Sequence, residues 1–94
     1  MPDTGETLAH LARALRETPP HPEASSRIRE IAKLLHRLPP SRERDGLLAV
    51  AYLRLYQALR KEEDYLRGYS YARTARLEAV RLMAERLAGT WEGK

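Results

Sequence analysis

Arg76 is the residue in this chain whose surroundings most suggest chemistry. Read at helical spacing, Tyr65, Tyr69, Ala72, Arg76, Val80, Met83 and Leu87 form one stripe with the guanidinium in its middle. A charge withdrawn from water must be paired and hydrogen-bonded, because its desolvation is expensive. One reading is an anchor for a small anion or a nucleotide phosphate in a cleft between helices. The favoured reading is structural: an ion pair with Glu17, Glu43 or Asp45, or an arginine stem that reaches past the small Ala72 to water.

The tyrosines form the second constellation. Tyr52 and Tyr56 lie one turn apart, as do Tyr65 and Tyr69, with Tyr71 close by. Interleaved with Arg54, Arg67, Arg73 and Arg76, they could stack on bases and grip phosphates. The chain has no phenylalanine, so the favoured role is as its large core aromatics, with each hydroxyl directed to the rim. Arg27, Arg29, Lys33 and Arg37 make a basic helix face that could contact nucleic-acid phosphates, a binding mode that weakens steeply with salt. Glu30 interrupts that face. The double proline at 39–40 and the apolar helix after it differ from a helix-turn-helix, whose second helix keeps a polar reading face.

Other chemistries find little support. His10, His21 and His36 are not spaced as a ligand pair, and a zinc site needs three or four convergent ligands. No metal or cofactor is expected. The absence of cysteine excludes disulfides, thiol catalysis and zinc thiolates. The glycines at 5, 46, 68, 89 and 93 are too scattered for a phosphate loop. Ser25, Ser26 and Ser70 have no base and acid beside them. Glu62, Glu63 and Asp64 are expected to sit in a hydrated turn. His10 followed three residues later by Arg13 resembles the phosphoacceptor turn of histidine-phosphotransfer bundles. The resemblance spans four residues, and of the small residues that follow in that family only Ala14 is present. Catalysis is not expected.

Ninety-four residues make a single domain, 1–94, and a chain this short buries roughly 60–65% of its unfolded surface. The net charge of +4 is diluted by 13 acidic residues, so no nucleic-acid-binding tail stands out. The start has no basic, apolar leader, and Arg54 interrupts the longest apolar run, so the expected setting is cytoplasmic with no membrane contact. Lysine only at 33, 61 and 94, no asparagine and a lone glutamine at 57 suit a thermophile or a GC-rich genome.

The elements that must position these groups are four helices: 4–17, 23–38, 41–60 and 63–88, with a tail at 89–94. Asp3 and Glu6 suggest a capping box for the first, and Ser41 an N-cap for the third. Residues 60–64 read as a turn that places acids in the first turn of the fourth helix, and Gly89 as its stop. Gly68 marks a potential hinge. The expected fold is an all-α, compact four-helix bundle, either up-and-down or two hairpins, with the third helix central. That helix, 46–59, is apolar on nearly every side, with only Arg54, Gln57 and Val50 turned to water. Leu48, Tyr52, Leu55, Leu59, Tyr69 and Met83 are therefore expected to fill the core or a homodimer interface. The function expected is a non-catalytic, self-associating interaction module. The alternatives are nucleic-acid binding on the Arg27, Arg29, Lys33 and Arg37 face and small-anion binding at Arg76.

Overall fold

The computed structural model describes residues 4–91. Five α-helices follow one another: α1 Thr4–Arg16, α2 Ser25–His36, α3 Arg42–Leu59, α4 Glu62–Ala75 and α5 Glu78–Trp91, with a 3-10 turn Pro22–Ala24 leading into α2. There is no strand among the described residues. The Asp3 cap lies outside the described residues, as do the side chains of Glu6, Leu87 and Trp91.

Local signals set most boundaries. The Thr18 hydroxyl donates to the Ala14 carbonyl at 2.7 Å and closes α1 just ahead of Pro19 and Pro20. Ser41 is extended, and its side chain accepts from the Arg44 N–H at 3.0 Å, the N-cap of α3. Arg60 ends α3 in the left-handed region (φ 59°), and Glu62, Glu63 and Asp64 open α4.

The fourth helix expected at 63–88 is two. Arg76 adopts φ 56° and breaks the chain between α4 and α5, and α5 then runs past Gly89 to Trp91. No glycine or proline announces this break. A non-glycine residue in this region costs about 1–2 kcal/mol, so tertiary contacts must supply more. They are visible. Arg42 donates from Nε to the Ala75 carbonyl at 2.9 Å and from Nη2 to the Arg76 carbonyl at 3.0 Å, satisfying the end of α4. Leu77 drops into the notch above Gly46, where an added Cβ would lie 2.6 Å from its Cδ1. The Tyr65 hydroxyl donates to the Ala84 carbonyl at 3.3 Å, tying α5 to α4.

α3 packs against each of the other helices. Leu48, Ala51, Tyr52 and Leu55 meet Leu11 and Leu15 of α1 and Ile28, Ile31, Ala32 and Leu35 of α2. Ala49, Leu53 and Tyr56 meet Tyr65, Ala72 and Ala84. With extents of 48 × 29 × 18 Å, the molecule is thin, about two helices deep. Gly68 is no hinge. It is a buried close-approach point between α3 and α4, where a Cβ would fall 2.8 Å from Leu53 Cγ and 3.2 Å from the Ala49 carbonyl oxygen.

Three substitutions test these contacts. Gly68→Ala should lower stability by roughly 1–3 kcal/mol from overpacking against Leu53 and the Ala49 backbone, outweighing its helix-propensity gain. Gly46→Ala should be close to neutral, because only the flexible end of Leu77 must move. Arg76→Gly should raise stability by about 1 kcal/mol by relieving the left-handed strain. Urea denaturation of the three variants against wild type measures all of these.

Candidate functional site

Polar and aromatic side chains from two helices converge over a third. On α2, Arg29, Lys33 and His36 fall at i, i+4 and i+7 and share a flank. On α4, Arg67, Ser70, Tyr71 and Thr74 share the facing flank, and α3 sends Tyr52 up between them. His36, Tyr52, Arg67, Ser70, Tyr71 and Thr74 line a cleft of about 470 Å³. Drug-sized ligands occupy sites of roughly 300–1,000 Å³.

The geometry inside is specific. His36 Nε2 and the Tyr52 hydroxyl are hydrogen-bonded at 3.0 Å. The rings of Tyr52 and Tyr71 are nearly parallel, 7° apart with centroids separated by 6.0 Å, and the His36 ring tilts against Tyr71 at 5.8 Å. The Arg67 guanidinium lies 5.8 Å from the Tyr52 ring centroid. Burial pushes the Tyr52 hydroxyl pKa above its ordinary 10.0; Arg67 pulls the other way, and Tyr71 and Asp64 add to the rise. Tyr52 therefore remains a neutral phenol at ordinary pH. Tyr65 is raised in the same direction, first by burial and then by Tyr69 and Tyr56.

Asp64 closes one end of this region. The expected hydrated turn is only partly so: Glu62 and Glu63 are exposed, but Asp64 is 1% exposed and pairs with Arg29, Nη2 to Oδ2 at 3.4 Å. Its burial had a signal in the sequence, because Asp64, Gly68, Ala72 and Ala75 form one helical stripe of otherwise small residues.

The other residues singled out from sequence separate. Leu48, Tyr52 and Leu55 are core, at 0%, 8% and 0% exposure, and Leu59 packs half-buried on the same cluster. Met83 is partly buried against the second cluster, while Tyr69 is 40% exposed, stacks on Tyr65 and carries the Arg73 guanidinium 5.9 Å from its centroid. The four basic residues expected on one face of the second helix do not form one. Arg29 pairs with Asp64, Lys33 lies one turn on from it, Arg37 follows the end of α2 and lines a hollow against α1, and Arg27, two positions from Arg29, turns to another side. Arg76 is exposed at the end of α4 and is not the centre of a buried stripe, because the helix stops there.

Arg54 and Val50 also depart from expectation. Both are half-buried, and Arg54 Nη1 donates to the Thr18 carbonyl at 3.0 Å while its Nε is enclosed without a partner. Val50 belongs to a second surface. It lines an apolar hollow of about 370 Å³ with Leu8, Ala12, Leu47, Leu77 and Val80, where α1, α3 and α5 meet. On the other side of α1 lies a hollow of about 720 Å³, floored by Leu11, Leu34 and Leu38 and rimmed by His10, Arg13 and Arg37. Among the described residues, no helix is long and apolar enough to cross a membrane and no group of acidic or histidine side chains is placed to hold a metal ion.

No protein-family model, curated protein or solved structure matches the chain.

The pKa directions set an alkaline limit. A phenol whose pKa is raised by folding stabilises the folded state below 10.0, and that contribution is lost as pH rises through the folded value. Phenolate absorbance should show Tyr52 and Tyr65 ionising above 10.0, together with falling resistance to urea. Tyr52→Phe should remove one of these late transitions and lessen the alkaline loss.

Proposed function

We propose that the chain is a cytoplasmic, non-catalytic helical interaction module that self-associates as a two-fold dimer through the face where α1, α3 and α5 meet. The observation that carries this reading is the hollow bounded by Leu8, Ala12, Leu47, Val50, Leu77 and Val80. Its lining includes a single charged side chain, Glu43. Contiguous apolar surface of this kind marks association sites. A two-fold axis brings the same patch from each copy and covers both at once.

The dimer takes only one edge of α3 into its seam. The residues of α3 that suggested surplus apolar surface are enclosed by the single chain. What remains uncovered is the edge of that packing, at Leu47 and Val50. The polar pairs of the molecule support a binding role over a catalytic one. Arg29 with Asp64 ties α2 to α4, and Arg44 with Asp45 is a pair of neighbours in the first turn of α3, so both are committed to structure.

Each copy carries a net charge of +4, so repulsion opposes the dimer and salt relieves it. Light scattering should give twice the chain mass, with a dimer fraction that holds or rises with salt. Val50→Glu should yield a monomer with unchanged helicity by circular dichroism, and Leu47→Lys the same. A wild-type monomer at every concentration and salt would remove the proposal.

A further inference from the structure

We infer that the cleft between α2 and α4 binds a nucleotide unit, with its base against Tyr71 and its phosphate held by Arg67. The site is separate from the proposed dimer face. On α3, Val50 and Tyr52 are two positions apart and point to different sides, so the two ideas stand or fall independently.

The aromatic wall is prepared for a flat ligand. Tyr52 is 8% exposed and serves as backing, while Tyr71 is half-buried, parallel to it and at the opening. The hydrogen bond between the Tyr52 hydroxyl and His36 and the contact of His36 with Tyr71 hold all three rings in place. A base stacking on such a wall meets rings that need not be ordered on binding, which limits the entropic cost. Every base has a π-face, so this contact does not depend on which base arrives.

The charge is placed to match. Arg67 is exposed, yet its guanidinium is kept over the edge of the wall by the Tyr52 ring. His36 forms the opposite rim. Asp64 is buried and committed to Arg29, and Glu63 is exposed one turn before Arg67. Arg67 thus supplies positive charge to an incoming phosphate. Ser70 and Thr74 line the same opening. The Thr74 hydroxyl donates to the Ser70 carbonyl at 3.1 Å, leaving its oxygen to accept from a sugar hydroxyl. An uncharged apolar ligand would bury Arg67 unpaired, and a bare anion would make no use of Tyr71.

The test is calorimetric titration of the full chain with adenosine monophosphate, adenosine, inorganic phosphate and a short single-stranded oligonucleotide. The variants are Arg67→Gln, Tyr71→Leu and Arg27→Gln, each checked by a thermal melt. Adenosine monophosphate should bind saturably, more tightly than adenosine or phosphate and more weakly as salt rises. Arg67→Gln and Tyr71→Leu should each weaken it by roughly tenfold or more, and Arg27→Gln should leave it unchanged. An oligonucleotide that binds far more tightly than the mononucleotide assigns the site to single-stranded nucleic acid, and equal affinities assign it to free nucleotides. The inference is overturned if neither ligand binds, if phosphate binds as well as adenosine monophosphate, or if Arg27→Gln weakens binding as much as Arg67→Gln.

Discussion

α3 must be covered on opposite sides at once, and the rest of the molecule is arranged around that requirement. Leu48 and Leu55 face one way and Ala49 and Leu53 another, and all four are at 0% exposure. A helix of this kind cannot lie on a surface. The chain meets the demand by laying α1 and α2 on one side and α4 and α5 on the other. The α4 side is the tighter of the two, because Gly46, Ala49, Gly68, Ala72 and Ala75 remove the side chains that would hold the backbones apart. Close packing of small residues leaves little freedom to relax, which is why a single methyl at Gly68 is felt.

The same helix also secures the ends of its neighbours. Arg42 reaches the last carbonyls of α4, Arg44 donates to the Leu38 carbonyl beyond α2, and Arg54 donates to the Thr18 carbonyl beyond α1. Helix C-termini carry unpaired carbonyls and partial negative charge, so a guanidinium with several donors suits them well. Much of the arginine content is therefore structural. The cations left to meet a partner are fewer than the composition suggests, and Arg67, beside the Tyr52 ring, is one of them.

The two proposed surfaces come from how two helical layers close. Where α1 meets α3 and α5, small and aliphatic residues fail to fill the corner, and an apolar hollow remains. Where α2 and α4 flank α3, the gap is bridged by rings and polar groups, with Tyr52 and His36 hydrogen-bonded across it. One hollow is apolar but for Glu43 and suits a second copy of the chain. The other offers rings, a guanidinium and hydroxyls and suits a charged aromatic ligand.

The all-helical class, the proline stops after α1 and α2, the Ser41 cap and a break near residue 60 with acids opening the next helix were legible in the sequence, because each depends on neighbours within a few residues. So was the near-continuous burial of α3, which its apolar pattern requires. The break at Arg76 was not. A left-handed arginine has no local signature, and it exists because Arg42, some thirty positions earlier, binds the freed carbonyls and Leu77 packs on Gly46. Tertiary packing likewise buried Asp64 against Arg29 and divided the basic residues of α2 among different surfaces. It also joined His36, Tyr52 and Arg67, three separate features of the chain, into one cleft. Periodicity shows which residues share a helix face. Which face lies opposite is decided only when the helices pack.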